Sequence, residues 1–138
     1  MKNLTVGVPV YKAKSTIDKL LSSVLIQSIC DDASIILAND CPDDNGSYEY
    51  VKDLYPTLDI TILDCDKNTG PGLARQRALD ACKTEWITFM DADDVLLNPF
   101  ALENLYNNIT PNCIEVQGAF FQEVKEGCLK ASERMQLI

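Results

Sequence analysis

The strongest constraint on the fold is a ten-residue stretch in which an apolar segment ends abruptly in carboxylates. Four large apolar side chains lie between Trp86 and Met90, and Asp91, Asp93 and Asp94 follow within four residues. This pattern predicts a buried strand covered on both faces, as in a parallel sheet. Three adjacent carboxylates at its end would repel one another, so they favour a bound cation. The alternative is an aspartate-rich turn that caps the next helix or faces solvent.

Predicted strands and helices alternate along the rest of the chain. Ser15 and Asp18 resemble a capping box, and Asn98 followed by Pro99 is typical of a helix start. Strands are predicted at 4–10, 34–39, 58–63, 86–90 and 114–122, and helices at 15–29, 46–54, 73–82 and 98–109. The last stretch, 128–138, fits either helix or loop. This order predicts one α/β domain over residues 1–138, with a mostly parallel twisted sheet and helices on both faces.

Polar or acidic residues follow three of the predicted strands, at Tyr11, at Asn39-Asp40 and at Asp91 to Asp94. Ligands of open α/β sheets bind outside the carboxyl ends of the strands. These side chains can therefore share one crevice, provided that their strands are neighbours. A divalent cation that also holds a diphosphate would neutralise the carboxylates there.

Charge and cysteine content argue against several classes of function. The net charge of −9 and pI of about 4.3 argue against binding to nucleic acid or to an anionic membrane, although a metal-held phosphate remains possible. Six cysteines without a C-x-x-C pair, in a chain without histidine, argue against zinc and favour free thiols in a reducing cytoplasm. We expect no signal peptide and no transmembrane segment, and peripheral membrane association through a partner remains possible.

Four segments, in the right order, resemble the motifs of family 2 glycosyltransferases with the GT-A fold. Each motif alone is weak, but together they span about ninety residues. They are Pro9-Val10-Tyr11-Lys12 for P-x-Y-N, residues 39–44 for D-D-G-S-x-D, residues 68–78 for N-x-G-x-x-x-A-R-N-x-G, and Asp91-Ala92-Asp93-Asp94 for D-x-D-D. The chain thus looks like the Rossmann-like nucleotide-binding half of such an enzyme.

The resemblance implies roles for individual residues. Asp40 would accept a hydrogen bond from a uracil N–H, and Tyr11 would stack on or lie beside the base. Arg75 would reach the nucleotide from the start of its helix, and Asp93 would coordinate Mn²⁺ or Mg²⁺ on the diphosphate. The implied nucleotide-binding residues are Pro9, Tyr11, Asp40, Asp44, Arg75 and Asp91, and the implied metal ligands are Asp93 and Asp91.

Three of these residues also have plainer interpretations. Tyr11 fits an ordinary half-exposed loop tyrosine, and Asp44 fits a solvated turn. Arg75 fits a surface arginine that pairs with Asp80 or Glu85.

The implied activity is metal-dependent transfer of a sugar from a UDP-sugar-like donor to a hydroxyl group of a glycan or lipid-linked acceptor. The transfer would invert the anomeric centre and use a carboxylate as the base. The enzyme would work in the cytoplasm, and its product would belong to a cell-surface polysaccharide. No catalytic base is recognisable in the short segment after Asp94. We therefore expect a fragment, or a homologue that needs a partner; the alternative function is a non-catalytic sugar-nucleotide-binding module.

Other classes of nucleotide or phosphate protein fit less well. A nucleotidyltransferase needs glycines after the first strand, where Tyr11-Lys12-Ala13-Lys14 stands, and a receiver or phosphatase-like domain needs an aspartate there. No G-x-G-x-x-G follows a strand, which argues against a dinucleotide-binding domain. Departures from the family motifs, such as Asn39 for aspartate and Gln76 for asparagine, bear on which nucleotide is bound.

Overall fold

The structure, a computed structural model, describes residues 2–116, 118, 121–125 and 128–131. It contains two compact units, Met1–Leu102 and Glu103–Ile138. Within the described part of the chain, no helix has the length and apolar character needed to cross a bilayer. Five of the six cysteines, Cys30, Cys41, Cys65, Cys82 and Cys113, are free thiols, as predicted.

Seven of the regular elements lie in the first unit. They are β1 (Leu4–Val10), α1 (Ile17–Leu25), β2 (Ala33–Asn39), α2 (Tyr50–Leu54), β3 (Asp59–Leu63), α3 (Pro71–Ala81) and β4 (Trp86–Phe89). Helix α4 (Ala101–Asn107) begins at the boundary between the units. In the second unit, β5 (Phe121–Lys125) and β6 (Cys128–Ala131) form an antiparallel pair.

The first unit is built on a four-stranded sheet with the order β3-β2-β1-β4, in which every pair is parallel. Backbone hydrogen bonds to β1 continue one residue past the ends of β2 and β4. Asp40 N–H donates to Val10 O at 2.8 Å, and Met90 N–H donates to Gly7 O at 3.0 Å. The strands β2, β1 and β4 are neighbours, so their carboxyl ends lie side by side. The condition for a shared crevice is met.

Helices cover both faces of this sheet, which confirms the predicted α/β fold. On one face, Val6 and Val8 of β1 belong to a cluster with Ile17 and Leu20 of α1, all fully buried. Side chains of this size contribute about 1.5–3 kcal/mol each when buried. On the other face, Ala74 and Ala78 of α3 pack in a second cluster with Ile36 and Ala38 of β2. Small alanines at these positions let α3 approach the sheet closely.

Helix α1 is shorter than the predicted 15–29, and the predicted capping box is wrong. Thr16 is the N-cap and makes no side-chain capping bond; its hydroxyl donates to Ala13 O instead, at 3.2 Å. At the other end, the buried Gln27 side chain donates to Ser23 O and Asn98 O, and accepts the N–H of Leu102. The helix therefore ends where Gln27 bonds to a segment that is distant in sequence. The spacing of apolar residues carries no information about such contacts.

Two other helices are also shorter than predicted. Helix α2 begins at Tyr50 rather than near residue 46, because Gly46 has a φ of 77° and belongs to a turn. Helix α4 begins at Ala101 rather than at Pro99, because Asn98 Oδ1 accepts the N–H of Phe100 at 2.9 Å in a turn before the helix.

Two strand predictions need correction. Strand β4 is not buried on both faces: Phe89 is 40% exposed, and β1 is the only described strand that pairs with β4. The strand predicted at 114–122 is absent from 114–116, where Ile114 is 95% exposed, so its apolar side chain does not pack as a core strand would. Strand β6 occupies residues for which helix or loop was predicted; positions 132–138 lie outside the described residues.

Candidate functional site

A cleft of about 510 Å³ opens at the carboxyl ends of β1, β2 and β4. It is formed by Pro9, Val10, Tyr11, Lys12, Ala13, Ser15, Thr16, Asp40, Asn68, Gly70, Pro71, Asp91, Ala92 and Asp93. Five of the predicted site residues are therefore brought together, namely Pro9, Tyr11, Asp40, Asp91 and Asp93. The other two, Asp44 and Arg75, are not among the lining residues.

The loop after β1 forms one part of the cleft, and a buried tyrosine holds its backbone in place. Tyr48 is 1% exposed, and its hydroxyl accepts the N–H of Ala13 at 3.0 Å. Tyr11 on the same loop is 52% exposed, so about half of its surface is open to a ligand. The loop thus combines an anchored backbone with an accessible aromatic ring.

Asp40, directly after β2, clamps the loop that precedes α3. Its side chain accepts the N–H and the hydroxyl of Thr69 at 2.9 and 3.0 Å through Oδ1, and the N–H of Gly70 at 2.8 Å through Oδ2. Burial raises the pKa of Asp40, but these bonds and the Arg77 guanidinium outweigh burial, so its net pKa lies below the ordinary 3.8. Asp40 is therefore an ionised carboxylate that shapes the cleft wall.

Arg77 on α3 supports the same carboxylate, and the sequence motifs did not single it out. Its Nη2 donates to Asn39 O at 2.7 Å and lies 3.9 Å from Asp40 Oδ1, while Nη1 donates to Asp64 O at 3.1 Å. One guanidinium thus joins the ends of β2 and β3 to the Asp40 clamp. The motif arginine, Arg75, lies two residues earlier, and nothing in the local sequence distinguishes Arg77 from a surface charge.

Asn39 departs from the aspartate of the family motif, and its side chain is used inside the loop that follows β2. Asn39 Nδ2 donates to Cys41 O and to Asn45 Oδ1, at 2.9 and 3.0 Å, and its Oδ1 accepts Cys41 N–H. The amide of Asn45 is itself fixed by two bonds to the backbone of Cys65. Position 39 must therefore supply a donor, and a carboxylate cannot.

Replacing Asn39 with aspartate should lower the free energy of unfolding by about 2–4 kcal/mol, because it buries a charge that faces two acceptor oxygens. Urea unfolding measures the change, with the exposed Asn107→Asp as the matched control, expected within about 0.5 kcal/mol of the parent. Equal stability of the Asn39→Asp and parent proteins would contradict the assigned network.

Three carboxylates stand together after β4. Oxygens of Asp91, Asp93 and Asp94 all lie within 4.8 Å of one another. The Asp91 carboxylate also pairs with Arg75, from Nη2 to Oδ1 at 2.7 Å, rather than leaving Arg75 to pair with Asp80 or Glu85. Both partners of this pair are more than a third exposed, so it adds little to stability.

The chemistry of this cluster fits a divalent cation. Burial raises the pKa of Asp94, the charges of Asp91 and Asp93 raise it further, and the N–H of Asp91 offsets only part of the rise. An excess of negative charge therefore remains after Arg75 is counted. Carboxylate oxygens are the ligands that Mg²⁺ and Mn²⁺ prefer, so Asp93 and Asp91 could hold either ion, with Asp94 as a third ligand.

Asp44 is the predicted residue that the structure sets apart from the others. It ends a short 3₁₀ turn, Pro42–Asp44, and its carboxylate lies 3.9 Å from the Lys14 ammonium. Thr69, by contrast, was not predicted as a site residue, and the structure shows that it donates two hydrogen bonds to Asp40. It occupies the variable position of N-x-G, where the motif carries no signal.

Comparisons with known proteins identify the family to which the chain belongs. The family model for glycosyl transferase family 2 matches residues 5–127. The poly(ribitol-phosphate) beta-N-acetylglucosaminyltransferase TarP of Staphylococcus aureus (strain N315) is 34% identical over 109 residues, which are 78% of this chain and 33% of that protein.

Solved structures give the same result. S. aureus TarS 1-349 in complex with UDP-GlcNAc matches with a TM-score of 0.68 and 28% identity, over 78% of this chain and 30% of that one. The mannosyltransferase PcManGT from Pyrobaculum calidifontis, solved with GDP-Man and Mn²⁺, matches at 20% identity with a TM-score of 0.69, over 75% of this chain and 31% of that one, and supports the fold alone. This chain thus spans about a third or less of the relatives described. Its motifs, sheet order and matches show that the chain belongs to glycosyl transferase family 2.

Proposed function

We propose that this chain forms the donor site of an enzyme that transfers a sugar from a UDP-sugar to a hydroxyl group. The observation that carries the proposal is the cleft at the ends of β2, β1 and β4, which Asp40, Asp91 and Asp93 all line. The similarity to TarS, which was solved with UDP-GlcNAc and with UDP, supports a uridine nucleotide as the ligand.

Asp40 and Tyr11 are the proposed base-binding residues. Asp40 Oδ2 accepts one bond from Gly70, which leaves it able to accept another from the N3–H of uracil. The half-exposed ring of Tyr11 offers a surface on which the base can stack. Pro9 lines the same cleft. Asp44 does not line it and pairs with Lys14, so it is left out of the proposed site.

Asp93 and Asp91 are the proposed ligands of Mn²⁺ or Mg²⁺. A bound divalent cation supplies charge stabilisation for the diphosphate as it leaves the sugar. Asp91 also lies at the ribose or sugar in this proposal. Arg75 is held at the cleft by its bond to Asp91 and presents a second positive group to the nucleotide.

The acceptor belongs to the glycans or lipid-linked polymers of the cell surface, in keeping with the names of the relatives. These include TarP and a teichoic acid poly(glycerol phosphate) polymerase of Staphylococcus epidermidis. We further propose that the transfer inverts the anomeric centre on the cytoplasmic side, with a carboxylate base that is not among the residues assigned here. A sugar-nucleotide-binding module without its own transfer activity is the alternative, and a transfer assay separates the two.

Asp40 gives this proposal a sharp test of nucleotide choice. Uracil presents a donor at N3, whereas cytosine presents an acceptor there that would repel the carboxylate. A lost bond to a charged group costs about 1.5–3 kcal/mol, so UDP should bind roughly 10- to 100-fold more tightly than CDP in the presence of Mn²⁺. Titration calorimetry with UDP, CDP and GDP measures this directly. Binding of CDP as tight as that of UDP would argue against the proposed role of Asp40.

A further inference from the structure

Lys12, in the loop after β1, has an unusual backbone conformation. Its φ of 48° lies in the left-handed region, and no other described non-glycine residue has a positive φ. This conformation costs about 1–2 kcal/mol for most residues, whereas asparagine, the residue of the P-x-Y-N motif, adopts it more readily. Strained backbone of this kind clusters at ligand-binding sites, which makes Lys12 a candidate for a role in binding.

Lys12 is also the only basic residue among the described residues that line the cleft. Three acidic residues line the cleft: Asp40 and Asp91 pair with Arg77 and Arg75, and Asp93 is a proposed metal ligand. Lys12 makes no ion pair with a described carboxylate, unlike its neighbour Lys14, which pairs with Asp44. Its positive charge is therefore available to an anionic ligand in the cleft.

The position of the Lys12 ammonium indicates which anionic group of a ligand it would contact. Lys12 Nζ lies 5.4 Å from the centroid of the Tyr11 ring, within cation–π distance. Tyr11 is the residue on which we propose that the base stacks. In a nucleoside diphosphate only a ribose separates the base from the first phosphate, so an ammonium beside the base site is near the phosphates.

We propose that Lys12 binds the diphosphate of the nucleotide and supplies positive charge in addition to that of the metal. The inference rests on the proposed donor site and names a ligand-binding residue within it. It gives a physical reason for a lysine at a backbone position that favours asparagine: the charge strengthens ligand binding, while the strain reduces stability.

The test uses Lys12→Asn, which removes the charge and relieves the backbone. UDP should bind roughly five- to tenfold more weakly in the presence of Mn²⁺, as expected for one charge contact near a surface. Uridine, which lacks phosphates, should bind as it does to the parent. The melting temperature should rise by about 2–5 °C, because the strain is removed. Calorimetry and thermal unfolding measure the two effects, which go in opposite directions.

Two further variants serve as controls. Lys12→Arg keeps the charge and should bind UDP within about twofold of the parent, and Lys14→Asn removes a nearby charge outside the cleft and should do the same. Unchanged UDP binding by Lys12→Asn, or equal losses for UDP and uridine, would overturn the assignment, since the second result places Lys12 at the base. If the parent protein binds no UDP, the donor-site proposal itself fails, and that outcome is distinct from a failure of the Lys12 assignment.

Discussion

Replacing Asp40 with asparagine should lower the free energy of unfolding by about 3–5 kcal/mol, which is the loss expected when one member of a buried charged network is removed. Asp40 is 3% exposed and receives three hydrogen bonds from Thr69 and Gly70. An amide has one acceptor oxygen, so its NH₂ group would face an N–H of the loop. The Arg77 guanidinium would lose its anionic neighbour at the same time.

The loss should depend on pH in a defined direction. Because the folded-state pKa of Asp40 is below its ordinary value of 3.8, the unfolded chain binds more protons in the interval between the two values. The ionised carboxylate therefore stabilises the fold above that interval, and its contribution disappears as pH falls through the folded-state pKa. The difference between the parent and Asp40→Asn should be complete at pH 7 and narrow in strong acid.

The matched control for this variant is Asp59→Asn. Asp59 accepts one bond from the Ser34 hydroxyl at an exposed site, so its replacement should change stability by no more than about 0.5 kcal/mol. Urea unfolding at pH 7 measures these stabilities, and repeating it at decreasing pH below 3.8 follows the expected narrowing. A parent and an Asp40→Asn variant that unfold at the same urea concentration at pH 7 would show that Asp40 does not clamp the 69–70 loop.

The sheet could be predicted from sequence because its strands are encoded locally. The predicted strands at 4–10, 34–39 and 58–63 agree with β1, β2 and β3 to within one residue. The alternation with helices then gave the parallel sheet. Element ends were predicted less well, since they depend on side chains that bond to distant segments, as Gln27 does with Asn98 and Leu102.

The sequence predicted that side chains at neighbouring strand ends share one cleft, but it did not predict the contacts that hold this cleft together. Motif spacing identified Asp40 and Asp91, and the neighbouring strands bring both to one cleft. The motifs gave no sign that Thr69 and Arg77, 29 and 38 residues from their partners Asp40 and Asn39, would hold the loops in place. Such contacts come from the packing of α3 on the sheet, which sequence periodicity does not specify.

Asp93→Ala should remove metal-dependent nucleotide binding and leave the fold intact. Asp93 is exposed and lines the cleft, and its side chain makes no hydrogen bond with a described residue. Asp91 by contrast is tied to Arg75, so its replacement would disturb an ion pair as well as the cation site. Loss of one carboxylate ligand from a cluster of three should weaken metal-dependent UDP binding by roughly 100-fold.

Asp93→Ala should change UDP binding only when the divalent cation is present. Without metal, Asp93→Ala and the parent should bind UDP equally weakly. The variant should unfold at the parent's temperature or slightly above it, because the substitution removes no packing and relieves repulsion within the cluster. Asp53→Ala, which removes an exposed carboxylate on α2, is the matched control and should bind UDP as the parent does.

The most direct test of the donor-site account is calorimetric titration of UDP into the parent and Asp93→Ala proteins, each with Mn²⁺ and with a chelator. The account predicts tight binding only for the parent in the presence of Mn²⁺. Equal UDP affinity in all four titrations would contradict it, because the carboxylates after β4 would then have no part in holding a metal-bound diphosphate.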